Sequence, residues 1–232
     1  MQPNLRRVDR VVRILLGGFC FFAAAVLFTY PLSRILALLF GVFVFWEAAS
    51  AKCPLQAKLD SQKTTNASSC ETTYLLGLLA VQTIIAYEWW SAGWEKVSSP
   101  AFVDGIQKTL GFFAGKNPFP WYKSFLEGFA MQYGSVFAYA VEWSQVAISL
   151  SLILAAGIFV YTKKERVRGA AVAVIILALA GGLLMNANFY LAAAWTGPGT
   201  KGSNVVMFWI QAALLYTWLS TYSLSHKTKM SQ

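Results

Sequence analysis

The sequence predicts an all-α integral membrane protein. Six transmembrane helices form a two-helix hairpin followed by a four-helix bundle, with both termini on the cytoplasmic side and an amphipathic loop outside. Three observations predict this. First, of 232 residues 57% are hydrophobic and 12% charged, about half the charge of a soluble domain, so the chain cannot cover itself with polar surface. Second, six stretches approach the roughly 20 apolar residues that a helix needs to cross hydrocarbon: residues 11–30, 32–50, 74–94, 135–161, 167–195 and 205–224. Third, with the N-terminus inside, 13 of the 19 Lys and Arg residues fall on the inner side, as the positive-inside bias requires.

The net charge of +9 is therefore a topology signal and an attraction to anionic lipid. The basic residues sit at the ends of apolar runs rather than in one patch, which argues against nucleic acid. No small-residue cleavage site follows the first apolar run, so that run stays as a helix. Arg13 lies close enough to its end to snorkel, and Cys20 within it reads as a small buried hydrophobe.

Pro31 makes a tight turn between the first two stretches, which gives a membrane hairpin domain over residues 1–60. Glu47 closes the second stretch beside Lys52 as an interfacial charge. "SQKTTNASSCETT", residues 61–73, is a polar linker without apolar period. Residues 74–232 form the second domain. Cys53 and Cys70 flank the linker; their spacing fits no zinc signature, and a cytoplasmic position disfavours a disulfide. With His226 the one histidine, no metal site is expected. The sequon Asn66-Ala67-Ser68 is expected to be cytoplasmic and silent.

Between the third and fourth stretches, Phe102, Ile106, Leu110 and Phe113 recur at helical spacing with Asp104, Gln107 and Lys108 between them. This predicts an amphipathic helix in the interface plane. In "GKNPFPWYKSFLEGF" two prolines interrupt helix, and Phe119, Trp121 and Tyr122 suit the headgroup belt. The whole loop is expected to fold back over the outer mouth of the bundle.

Ionisable residues inside a membrane are expensive and point to function. Glu142 lies about two turns into the fourth stretch, with Gln145 on the same face. It reads as a proton acceptor or quinone-headgroup ligand, or else as half of a structural ion pair. In "AYEWWSAGWEKV", Glu88 and Glu95 share a helix face with Lys96 close by. Glu88 is expected below the interface and in need of a partner. Trp89 and Trp90 read as an aromatic belt. Asn186 and Asn188, two residues apart on the fifth stretch, point in different directions and bond neighbouring helices; one of them reaches toward Glu142 or Lys96.

"GWEKVSSPAF", "NPFPWYKSFL", "VEWSQVAISLSLILA" and "NANFYLAAAWTGPGTKGSN" resemble the DoxX/DoxD membrane family, which includes the small subunit of thiosulfate:quinone oxidoreductase. The resemblance covers roughly residues 74–224, and the NP-x-PWY loop favours the DoxD branch. The hairpin is similar to a different family. "NLRRVDRVVRILLGG" and "KCPLQAKL" look like the two-helix inner-membrane domain fused to bacterial rhodaneses, with Gln56 standing where that pattern has tyrosine.

The DoxD resemblance implies electron flow from thiosulfate to membrane quinone in a bacterial inner membrane. It brings Trp94, Lys96, Asn117, Pro118, Trp121, Glu142 and Asn188 to matching positions. Glu142 and Lys96 then become the catalytic candidates: Lys96 attracts the dianion and Glu142 exchanges a proton with quinone. Glu88, Trp94, Trp121, Gln145, Asn186 and Asn188 become candidates for binding substrate or quinone. The resemblance implies no covalently bound cofactor, and a second oxidoreductase subunit as partner. Two other functions compete with this one. The chain could be a non-catalytic membrane subunit of a larger redox complex, or a transporter. The scarcity of buried charge and the absence of paired broken helices disfavour the transporter.

Overall fold

We describe residues 7–22, 24–25, 31–51 and 69–230 of a computed structural model. Among them there is helix and turn but no strand. The chain divides into two compact units, Met1–Leu76 and Gly77–Gln232. Among the described residues, three helices are long and apolar enough to cross a membrane, within Tyr74–Val97, Gly134–Tyr161 and Glu165–Thr196, and Arg13–Phe22 is a shorter apolar helix.

The first unit contains α1 (Arg7–Phe22) and α2 (Pro31–Ser50). Proline at the first helical position costs no hydrogen bond there. The two helices meet over small residues. A Cβ on Gly17 would lie 2.5 Å from the Phe45 ring, and one on Gly41 would lie 3.4 Å from Cys20 Cβ. Phe21 stacks on Phe45 at 5.6 Å. Cys20 is half-buried in this seam rather than enclosed. Ala51 ends α2 with a left-handed φ of 54°, the conformation that stops a helix.

Two sequence expectations change in this hairpin. Arg13 does not snorkel away from the protein: its Nε donates to Glu47 Oε2 at 3.0 Å. Glu47 is accordingly buried, at 4% exposure, and not an interfacial charge beside Lys52. Arg10 Nε donates to the main-chain oxygen of Ala48 at 2.7 Å. Pairing explains the burial, since an unpaired carboxylate in an apolar seam would be strongly disfavoured. Cys53, the sequon and most of the linker lie outside the described residues, as do the side chains of Cys70 and His226.

The second unit is built on α3 (Ser69–Val97), α7 (Gly134–Tyr161), α8 (Glu165–Ala193) and α9 (Pro198–Met230). α3 starts inside the predicted linker, five residues before the apolar run. Each helix turns one stripe inward. On α3 the stripe is Gln82, Ala86, Trp89 and Gly93; on α7 it is Ala138, Glu142, Gln145, Ser149 and Leu152; on α8 Ile175, Leu179, Gly182 and Asn186; on α9 Gln211, Leu214 and Trp218. Successive members are three or four residues apart, the spacing of one helix face. Because lipid is as apolar as leucine, close packing and hydrogen bonds hold such helices together rather than the hydrophobic effect. Gly93 supplies the close packing between α3 and α7: a Cβ there would lie 2.9 Å from Val146 Cγ2 and 3.0 Å from the Val146 nitrogen.

Between α3 and α7 run α4 (Ala101–Asp104), α5 (Ile106–Gly115) and α6 (Pro120–Phe125), which passes into a π turn at Leu126–Ala130. Ile106, Leu110, Ala114, Tyr122, Leu126 and Ala130 form one core with Ala138 of α7 and with Ala192 and Ala193 of α8. The segment does fold back onto the helix ends. Its amphipathic helix, however, presents its apolar face to this core and not to an interface plane. Two polar ties fix it: Asn117 Nδ2 donates to Leu191 O at 2.9 Å, and Gln107 Nε2 donates to Met131 O at 2.7 Å.

Candidate functional site

The inward stripes of the four long helices carry polar side chains at two levels. The level nearer the start of α3 is closed on itself. Gln82 Nε2 donates to Leu152 O at 2.9 Å, and Gln82 Oε1 accepts from Trp218 Nε1 at 2.7 Å. Ser149 Oγ donates to Ala86 O at 2.6 Å. Trp89 Nε1 donates to Gln211 Oε1 at 3.1 Å, and Gln211 Nε2 donates to Met207 O at 3.0 Å. Every buried amide here uses both of its ends. Gly182 makes room for the arrangement, since a Cβ there would fall 2.0 Å from Gln211 Oε1.

The second level lies nearer the end of α3 and is open. Glu142, Gln145 and Asn186 are exposed by 4%, 2% and 2%. Glu142 Oε2, Gln145 Oε1 and Asn186 Nδ2 are all buried without a hydrogen-bond partner. Buried polar groups are nearly always paired, and leaving one unpaired costs about 1–3 kcal/mol. Three in one bundle end mark a place where something else supplies partners. The level is set by register. α3 and α7 run antiparallel with Gly93 against Gln145, which brings Lys96 opposite Glu142. No direct ion pair joins Lys96 to Glu142 among the described residues; instead Lys96 Nζ donates to Ala92 O at 2.8 Å and lies 5.5 Å from the Phe102 ring centre.

The structure thus brings Glu142, Gln145, Asn186 and Lys96 to one level. Asn188 turns the other way, as its spacing from Asn186 demands. The Tyr122 hydroxyl donates to its side-chain oxygen and, at 3.2 Å, to its main-chain oxygen. Burial pushes the Tyr122 pKa up to about 12, so this hydroxyl stays a donor at any ordinary pH.

Three expectations are corrected. Glu88 is exposed, not buried: with Trp89 turned inward, the preceding residue points about 100° away around the helix. Trp89 is a core residue at 2% exposure and not part of a belt. Trp94 and Trp121 present their rings outward, at 51% and 63% exposure, so neither belongs to the open level. Trp94 stacks on Trp90 at 5.4 Å, and this outer pair has the character of a belt. Sequence reasoning missed Gln82, Ser149, Gln211 and Gly93. The inward period of Gln82, Ala86, Trp89, Gly93 and Lys96 was the signal available for α3.

Two grooves flank the same end of α8. One, of about 440 Å³, lies between α7 and α8 and is lined by Phe129, Tyr133, Val136, Phe137, Ser144 and Asn188 among others. The other, of about 310 Å³, lies between α8 and α9 and includes Asn186, Tyr190, Asn204, Phe208 and Trp209. Among the described residues, no cluster of His, Cys, Asp and Glu could hold a metal ion.

Comparison with known proteins bears on the first unit. Residues 1–69 match the family described as inner membrane protein YgaP-like, transmembrane domain. That match and the apolar helices support a helical membrane protein whose N-terminal part is similar to this family. No curated protein and no solved structure matches the chain.

Proposed function

We propose that the protein is the membrane subunit of a sulfur redox system, passing electrons from thiosulfate to membrane quinone in the manner of the DoxD-like enzymes that residues 74–224 resemble. It sits in a bacterial inner membrane with six spans and both termini in the cytoplasm, and works with a second oxidoreductase subunit. Two thiosulfate ions give up two electrons and join through a new S–S bond as tetrathionate. Quinone takes the two electrons and two protons to become quinol. The observation that carries the reading is Glu142, a carboxyl buried at 4% exposure with one oxygen unpartnered and set opposite Lys96 by the Gly93–Gln145 register. A carboxyl so placed can hold a proton and pass it to a reducing ring oxygen. Gln145 and Asn186 offer an acceptor and a donor that would orient the ring. Lys96, at the helix end, adds the positive charge that attracts a dianion.

Membranes containing the protein should reduce a soluble quinone analogue when thiosulfate is added. Glu142→Gln and Lys96→Ala should each abolish that reduction. Undiminished activity in both variants would remove these residues from the site. A chain that copurifies with a larger complex and shows no thiosulfate-dependent turnover would instead be a non-catalytic anchor.

A further inference from the structure

Asn186 is the point where the open level meets the lipid-facing surface. It is 2% exposed and its amide nitrogen has no partner, yet it lines the groove between α8 and α9. The groove's far wall, Val205 and Trp209, is exposed at 36% and 66%, so the groove opens sideways from the bundle. Its volume of about 310 Å³ accommodates one substituted ring, and Tyr190, Phe208 and Trp209 offer aromatic faces for stacking. We infer that this groove is the lateral dock of a quinone-type ring, whose carbonyl oxygen accepts a hydrogen bond from Asn186 Nδ2.

Three features favour this occupant over a phospholipid. Asn186 lies seven residues before the end of α8 at Ala193, about 10 Å along the axis, within the apolar span and not at the helix end where a headgroup would sit. The unpartnered atom is a neutral donor, which suits a neutral carbonyl and not a phosphate, for which a cation would be expected. The terminal torsion of asparagine is broad, so the amide can turn into the groove without strain. The neighbouring Asn204 is a poorer anchor, because one N–H of its Nδ2 already holds it to Thr200 O at 2.9 Å and it has no buried unpartnered atom. The groove between α7 and α8 is a weaker candidate, since its asparagine, Asn188, is held by Tyr122 and has no buried unpartnered atom. The inference deepens the proposed function by assigning the quinone a side of the bundle and a first hydrogen bond. It rests on that reading only for the identity of the ring.

The test uses the full-length protein in nanodiscs and a photoreactive short-tailed quinone analogue, without thiosulfate. Labelling should fall on the segments around Tyr190 and Phe208, and excess unlabelled quinone should compete it away. Two variants disturb the dock differently. Asn186→Leu removes the donor, and Val205→Trp fills the groove but leaves the amide. Each should weaken competition by about tenfold or more, the worth of a desolvated hydrogen bond. Labelling that survives both variants, that maps instead to Phe137 and Ser144, or that phospholipid competes equally well overturns the dock. Saturable labelling at the groove in a protein that shows no thiosulfate-driven reduction upholds the dock and removes the electron donor. Thiosulfate-driven reduction that is indifferent to both variants removes the dock and leaves the reaction standing.

Discussion

Two levels of one bundle, built from the same kinds of side chain, differ in whether their polar groups are answered. At the closed level Gln82, Ser149 and Gln211 are bonded to Trp218, Ala86, Leu152 and Trp89. At the open level Glu142, Gln145 and Asn186 each keep an unpartnered atom. Both levels are equally buried, so burial alone does not separate structure from function. What separates them is complementarity. A satisfied amide network holds helices in register, whereas an unsatisfied one has a cost that only an external partner can offset.

Four measurements would break or sharpen the contrast. The largest effect is expected at the closed level. Gly182→Ala places a methyl 2.0 Å from Gln211 Oε1, forcing the amide off the Trp89 indole. It should destabilise the bundle by about 3 kcal/mol or more, seen as a clear fall in the thermal midpoint in detergent. Next, Glu142→Gln should leave that midpoint unchanged or higher, because it removes a buried carboxyl whose Oε2 has no hydrogen-bond partner. Quinone reduction should nevertheless fall by about 100-fold or more, the usual contribution of a positioned proton donor. Loss of stability in this variant would make Glu142 a structural residue. Third, Ser149→Ala removes one hydrogen bond of 2.6 Å and should cost about 1 kcal/mol without changing turnover.

The last effect concerns the segment that caps the open end and shows only at alkaline pH. Folded Tyr122 keeps its proton up to about pH 12, whereas an unfolded tyrosine loses its own near pH 10. Unfolding therefore releases a proton above about pH 10, and stability should fall from there toward about 12, with no change below 10. Tyr122→Phe should flatten that part of the profile. An unchanged alkaline slope in the variant would place the titration elsewhere.

The open level was largely legible in the sequence. Glu142, Gln145 and Asn186 interrupt long apolar runs, and polar groups at such positions are rare enough to stand out. Lys96 was legible as well, as a charge at the end of an apolar run and through the DoxD resemblance, whereas its place opposite Glu142 is a matter of tertiary register. The aromatic residues were not. Trp89, Trp90 and Trp94 look alike in the chain, and only the phase of the helix decides that Trp89 goes inward and the others outward. That phase is set by Gly93 and Ala86 meeting α7, a tertiary fact. The same phase turned Glu88 outward. Glu47 was misread because its partner, Arg13, lies 34 residues away, beyond any local pattern. The amphipathic helix at Ile106–Gly115 was found correctly, but its period cannot say whether an apolar face meets lipid or protein.

The capping segment also bears on how the chain is made. Its core, from Ile106 to Ala130, is completed by Ala138, Ala192 and Ala193, all of which are synthesised after it. Until α7 and α8 have been inserted, some 25 residues of aromatic-rich chain have nothing to rest against. The cover can therefore close only after α8 has been made, because two of the residues that complete its core, Ala192 and Ala193, lie at the end of that helix. Slow insertion of α8, more than any weakness of the finished protein, is where such a chain would be lost to proteolysis.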